Sequence, residues 1–365
     1  MRIVDLRLGL LRVPLRVPFR TALRCVDEVV EVVVELHTDS GHVGRGAAPP
    51  TPPITGETVE SIVGAIRHAI RPRLLGAAVA DLDRNARLVA AALDGNSSAK
   101  AAVDIALHDL FGQLHGAPLY RLLGGGPALF STDITISAGD TGAMVADALA
   151  ALDRGFEVLK VKLGREPAAD LARIRAVHAA VGGRARLRLD ANQGWSAAQA
   201  VRTLRELEDE GLAFDLLEQP VPADDLDSLE HVTRRIATPV LADESVFGPR
   251  EALEVIRRGA ADLINIKLMK TGGIGDALRV ADIAAMHGVG CMIGCMLESG
   301  IGVTAAAHVA AARASVIGRV DLDGPSLCAR DPLDGGAIFD GPDIRLADAP
   351  GLGIRAVHGL APLPD

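Results

Sequence analysis

VLKVKLG (158–164), RLDANQGW (188–195), LLEQPV (216–221), LADESV (241–246) and INIKLMKTGG (264–273) read as the ends of five successive short strands. Each runs apolar and then places charge near its C-terminal end: Lys160 and Lys162, Asp190, Glu218, Asp243, and Lys267. In a parallel barrel the strand C-termini open onto one face, and that face carries the chemistry. Three acidic oxygen donors there make a seat for a hard divalent cation. A lysine on each side of the seat makes two opposed proton carriers. The set suits removing a proton from carbon beside a carboxylate and returning it.

Working outward, short apolar segments recur at 131–137, 158–163, 186–191, 214–218, 239–243, 263–267, 289–293 and 317–322, with helical patterns between them at 168–181, 196–210, 249–258 and 275–286. Eight strands alternating with helices point to a (β/α) barrel rather than an open sheet. An open nucleotide-binding sheet would place a glycine-rich phosphate loop after its first strand, and SAGDTG (137–142) is not that motif. Before GGGPA (124–128) the rhythm differs. Residues 2–11 and 28–38 alternate as strands, and PFRTALR (18–24) reads as the loop between them. The proline-rich APPTPPITGE (48–57) reads as neither helix nor central strand, and helical spacing follows at 57–76, 81–94 and 98–116. This is an α+β unit of about 125 residues.

The 365 residues are 49% apolar and only 2% aromatic, so a large core rests on Ala, Val, Leu and Ile. Few aromatics and a net charge of −9 argue against a nucleic-acid partner. The N-terminus carries charges every few residues and reads as neither signal peptide nor membrane span. Cys25, Cys291, Cys295 and Cys328 form no disulfide framework; Cys291 and Cys295 read as small buried thiols rather than half a zinc site. The cytoplasm is the expected compartment.

Lys160 and Lys162 alternate with Val161 and so share a face. Held close they repel, which lowers the pKa of one and supplies a usable base. A solvated strand end explains one lysine but not two. Lys267 follows the same logic with Asn265 on its face, while Lys270 reads as an ordinary loop lysine. Asp190 shares its face with Asn192. Any one of Asp190, Glu218 and Asp243 could be a turn or N-cap residue, but three at consecutive strand ends would repel without a cation between them. Magnesium fits this all-oxygen set better than calcium or zinc. Glu244 is expected to face away from Asp243. Asp321 and Asp323 in VDLDGP share a face and could hold an ammonium group, against the plainer reading of a turn before Gly324-Pro325. Arg24 could close over the mouth and grip a carboxylate, against the plainer reading of a surface arginine. His308 reads as packing, and no G-x-S-x-G elbow is present.

The ordered set KVK, DAN, EQP, DES and NIK resembles the enolase superfamily, in particular its muconate-lactonizing-enzyme subgroup. The resemblance spans essentially the whole chain. It implies a (β/α)7β TIM-like barrel at 126–339 and an α+β capping domain at 1–125, completed by the tail 340–365. It implies one Mg²⁺ on Asp190, Glu218 and Asp243, and Lys162 and Lys267 as the acid–base pair. PFRTALR, GNSSAKAAV, DESVF, ADLINIKLMKTGGI and VDLDGP are similar to the dipeptide epimerases, especially the L-Ala-D/L-Glu type. That similarity implies an isomerase that inverts the α-carbon of the C-terminal residue of a dipeptide by two-base 1,1-proton transfer through an enediolate. Asp321 and Asp323 would bind the α-ammonium, Lys160 the substrate carboxylate and Arg24 the glutamyl side chain. Asn192 and Glu298 join the expected substrate contacts, and a homo-oligomer is expected. On the same scaffold, an N-acylamino-acid racemase, a muconate cycloisomerase or a syn-dehydrating synthase would need no ammonium site.

Overall fold

Runs such as VLKVK and LINIK are buried along their whole length, as strands covered on both faces must be. The computed structural model describes residues 1–21, 25–164 and 166–364. Among these, eight parallel strands form one sheet in chain order: Ile134–Ile136, Val158–Lys162, Arg186–Asp190, Leu216–Glu218, Val240–Ala242, Leu263–Lys267, Gly290–Gly294 and Ile317–Asp321. The Asp133 N–H donates to the Val320 carbonyl at 3.3 Å, bringing the first strand to the eighth and curling the sheet into a barrel. A helix follows each of the first seven strands, from Thr141–Asp153 to Gly300–Ala312. Local chemistry starts several of them. The Asp140 carboxylate accepts from the Gly142 and Ala143 N–H groups, and Ser196 with Gln199 forms a reciprocal cap.

Leu216, Leu241, Leu263 and Met292 fill the barrel interior. A buried ionic layer crosses the end where the strands begin. Arg188 reaches Asp133 at 2.6 Å, Asp215 at 2.9 Å and the Val320 carbonyl at 2.9 Å, and Arg319 joins Asp215 at 3.0 Å.

The N-terminal unit is an antiparallel sheet against helices. Ile3–Arg20, Cys25–Thr38 and Val43–Ala48 pair in that order, and Ala361–Pro362 adds to the free edge of the first. The strands are longer than the alternation suggests. Phe19 and Arg20, expected in a loop, still pair with Val26 and Cys25 after a register break at Pro14. Only Ala22 to Arg24 of that expected loop lie outside the described residues. The proline-rich stretch also departs from expectation: Ala48 ends a strand, and Pro52–Thr55 makes one helical turn closed by Gly56 at φ 74°. Proline is tolerated there because the first helical N–H groups have no partner to lose. The expected helix 57–76 is Val59–Gly64, a π-helical Ala65–Ile70 and Arg71–Leu74 in succession. The expected first barrel strand is also divided. Leu129–Ser131 leaves to pair with Asp343–Arg345, and only Ile134–Ile136 joins the barrel.

Candidate active site

Strand register sets the mouth of the barrel. Lys162, Asp190 and Glu218 are direct partners on strands two, three and four. Lys267, Gly294 and Asp321 are direct partners on strands six, seven and eight. Strands two and six are four apart in a ring of eight, so Lys162 and Lys267 stand across the barrel from each other. Both line one cavity, together with Lys160, Asn192, Glu244, Asp321, Asp323, Thr135, Met296 and Leu297. Phe19, Thr51 and Ile54 of the N-terminal unit close it from above. Gly294 leaves room for two neighbouring side chains, because a β-carbon there would crowd Asn265 Oδ1 at 2.8 Å and Lys267 Cε at 3.0 Å.

The charges are buried and interlocked. Lys162 Nζ lies 2.5 Å from Asp190 Oδ2, and Lys267 Nζ lies 2.7 Å from Asp243 Oδ2. Lys160 Nζ reaches Asp190 at 3.1 Å, Glu218 at 2.7 Å and Asp321 at 2.8 Å. The Thr135 N–H donates to Asp323 at 2.7 Å. Burial pulls the Lys160 pKa down, but Asp321, Glu218 and Asp190 outweigh it and hold the ammonium well above its ordinary value. Carboxylates rather than Lys162 dominate the field at Lys160, which keeps its proton. Burial likewise opposes the charge on Lys267, and Asp243 more than restores it. Burial and the charge of Asp190 push Glu218 up to about 8; burial and Asp321 push Asp323 up to about 6.

Among the described residues, no three His, Cys, Asp or Glu side chains converge as a ready-made metal cluster. Ammonium groups stand between the carboxylates instead. The donor set still suits a hard cation. Asp190, Glu218 and Asp243 offer only oxygen, and Glu218 Oε2 and Asp243 Oδ1 are buried with no hydrogen bond aligned on them. Their lysine neighbours stand at 2.7 Å and supply the compensating charge.

Glu244 lines the same cavity that Lys267 does rather than facing away. The strand ends at Ala242 and the chain turns, with the Val246 N–H on the Asp243 carbonyl, so strand alternation no longer applies. Lys270 is no loop lysine. It is 2% exposed, donates to the Asp243 and Asn265 carbonyls, and stands 2.7 Å from Asp243 Oδ1. Gln219, not anticipated, accepts from the Asp243 N–H at 2.9 Å and so shapes that turn; its side chain directly after Glu218 was the available signal. Glu298 is buried, but it accepts from the Met296 N–H at 2.7 Å and is not among the cavity residues. Arg24 lies outside the described residues. His308 packs, as expected, with Nδ1 accepting from the Tyr120 N–H.

Comparison with known proteins agrees along nearly the whole chain. Residues 4–124 match the mandelate racemase / muconate lactonizing enzyme N-terminal domain, and residues 143–358 the enolase C-terminal domain-like family. An L-Ala-D/L-Glu epimerase of Clostridium acetobutylicum is 49% identical over 98% of this chain and 100% of its own. The substrate-liganded L-Ala-D/L-Glu epimerase of Bacillus subtilis superposes with a TM-score of 0.96 at 46% identity, covering 98% of this chain and 99% of that one. A dipeptide epimerase of Enterococcus faecalis, complexed with Mg and L-Leu-L-Tyr, gives 0.94 at 38% identity, covering 98% and 100%.

Proposed function

The chain belongs to the mandelate racemase / muconate lactonizing enzyme family, and from that premise we propose that it is a Mg²⁺-dependent dipeptide epimerase. It inverts the α-carbon of the C-terminal residue, of the L-Ala-L-Glu to L-Ala-D-Glu type. The observation that carries this reading is the pair Lys162 and Lys267, lining one cavity from strands four apart.

Asp190, Glu218 and Asp243 would hold the cation. A bound Mg²⁺ would supply Lewis-acid stabilisation of the negative charge that develops on the substrate's C-terminal carboxylate. Lys162 or Lys267, as the neutral amine, removes the α-proton on its own side of the substrate; a cation held by Asp243 would draw off the negative charge that otherwise keeps Lys267 protonated. The opposite lysine, as ammonium, returns a proton to the other face, so the centre inverts. Lys160 keeps its proton and donates toward the oxygen where charge grows. Asp321 and Asp323 accept the α-ammonium, which a carboxylate pair does and an acyl pocket does not. Asn192 borders the carboxylate end. Arg24 keeps its sequence-based assignment to the glutamyl side chain. The proposal extends to a cap of 1–125 completed by 340–365, a barrel of 126–339, a homo-oligomer and a cytoplasmic setting, the last in keeping with four unpaired cysteines.

Incubation of L-Ala-L-Glu with the protein and Mg²⁺ in D₂O tests the reading. The expected result is one deuterium gained at the glutamyl α-carbon together with the L-Ala-D-Glu product. An N-succinyl amino acid racemised in its place, with the dipeptide untouched, would reassign the site to the acyl-substrate class.

A further inference from the structure

Ser299 begins the helix Gly300–Ala312 as its N-cap, yet its side chain makes no capping bond. The hydroxyl is used elsewhere. It donates to Glu31 Oε2, and the Ser299 N–H donates to Glu31 Oε1 at 2.9 Å. Glu31 stands on the strand Cys25–Thr38 of the cap, 268 residues away, and both residues are wholly buried. A carboxylate in the low-dielectric interior that accepts two bonds from one residue fixes that residue in both position and orientation.

What Ser299 anchors is a wall of the substrate cavity. Cys295, Met296 and Leu297 line that cavity. The short segment from Cys295 to Ser299 has little room to relax. Glu298 folds back onto the Met296 N–H, a β-carbon on Gly302 would meet Glu298 Oε2 at 2.1 Å, and one on Gly324 would meet the Glu298 carbonyl at 2.6 Å. Gly324 follows Asp323 directly. A segment wedged this closely moves as a unit, so displacing its end at Ser299 displaces Met296 and Leu297 and presses on the Asp323 turn.

We infer that Glu31 is a positioning residue for substrate binding: from the cap, it holds Ser299 and thereby sets the cavity wall formed by Met296 and Leu297. This rests on the cavity being the dipeptide site. Glu31 touches no reacting atom. Its effect belongs in KM, because the two lysines and the carboxylates of strands three to five are held by other contacts.

Three variants test this, each with KM and kcat for L-Ala-L-Glu, melting temperature, and the rise in melting temperature on adding Mg²⁺. Glu31→Ala removes both acceptors, and KM is expected to rise at least ~10-fold while kcat falls less than ~3-fold, the signature of losing binding that ground state and transition state share. Glu31→Gln keeps the geometry without the charge. Its amide oxygen accepts from the Ser299 N–H and its NH₂ donates to the hydroxyl, so KM is expected within about 3-fold of wild type. The Mg²⁺-induced rise stays unchanged in both. A lowered melting temperature with KM unmoved in Glu31→Ala would make Glu31 a structural staple and overturn the inference, as would a Glu31→Gln KM matching that of Glu31→Ala. If Glu31→Ala does not fold, Ser299→Ala decides by the same measure: a raised KM supports the inference and an unmoved one overturns it. A wild type inert toward every dipeptide sinks both this inference and the reading beneath it, whereas an active wild type with unmoved KM values sinks the inference alone.

Discussion

The barrel buries charge at both ends and does so with different residues. Where the strands begin, Arg188 and Arg319 lock Asp133 and Asp215 together. Where they end, Lys160, Lys162, Lys267 and Lys270 stand among Asp190, Glu218, Asp243, Asp321 and Asp323. Arginine cannot deprotonate in a protein, whereas lysine can give up its proton when its surroundings change. Saturation differs too. Among the described residues, the mouth leaves Asn192 Oδ1, Glu244 Oε2 and Asn265 Oδ1 without a hydrogen bond, and Glu218 Oε2 and Asp243 Oδ1 with only an ammonium beside them, whereas the arginine layer leaves only Asp133 Oδ1. One end is a closed lattice of ion pairs. The other has proton carriers and spare lone pairs, which is what a reacting site needs.

The largest expected effect lies at the mouth. Lys162→Ala and Lys267→Ala should each lower epimerisation by at least ~10²–10⁴-fold, the usual share of a positioned acid or base, without unfolding the protein. Each should still exchange the α-proton of one stereoisomer in D₂O, because one base remains. Near wild-type turnover in either variant would remove the distinction between the two ends.

The arginine layer should respond in the opposite way. Arg188→Met leaves Asp133 and Asp215 buried beside a neutral side chain, and a broken buried pair typically costs about 3–5 kcal/mol. Denaturant unfolding should show that loss, while kcat/KM of the folded fraction stays within about 3-fold, as expected of a change clear of the chemistry. A large fall in kcat/KM at unchanged stability would mean that this layer serves the reaction.

The smallest test sets the signs of two pH slopes against each other. Burial and Asp321 raise Asp323 to about 6, above its unfolded value of about 3.9. The folded chain then holds the extra proton, so stability falls as pH rises from about 4 to 6, by on the order of 3 kcal/mol. Asp323→Asn should lose that fall, and its kcat/KM for dipeptides should drop by at least about 30-fold while the Mg²⁺-induced rise in melting temperature is kept. For Asp215, burial opposes ionisation, but the hydrogen bonds from Arg319 and Arg188 outweigh it and hold the carboxyl below its ordinary value. Its contribution is present above about pH 3.9 and is lost as pH falls below it. Melting curves of wild type, Asp323→Asn and Asp215→Asn across pH 3 to 8 compare the slopes, and slopes of equal sign would refute the contrast.

Periodicity made the barrel legible. Apolar runs of fixed direction separated by helical spacing left few other topologies, and lysines at 160 and 162 announced a charged mouth. Lys270 was not legible, since nothing in its neighbours signals that its ammonium folds back to one carbonyl on the strand just before it and one just past the end of the neighbouring strand. Glu244 was misread because alternation was carried past the strand's end at Ala242. The contact between Glu31 and Ser299 joins positions 268 apart, and a local pattern holds no record of such pairing. The extension of the first strand to Arg20 escaped for a related reason: the partner strand sustains pairing through residues whose own preference is for a turn.

The short strand Ala361–Pro362 carries a consequence in time. It pairs with Gly9 and Leu10, and the Leu363 N–H donates to the Leu8 carbonyl. Ribosomes add about 5–20 residues per second, so the outer edge of the first strand waits roughly 20–70 s for its neighbour. Throughout that interval the nascent chain presents an open β-edge that a second copy could pair with. Yield on expression should therefore depend on residues 361–363 more than their small contact area suggests, and slower translation should make the dependence steeper.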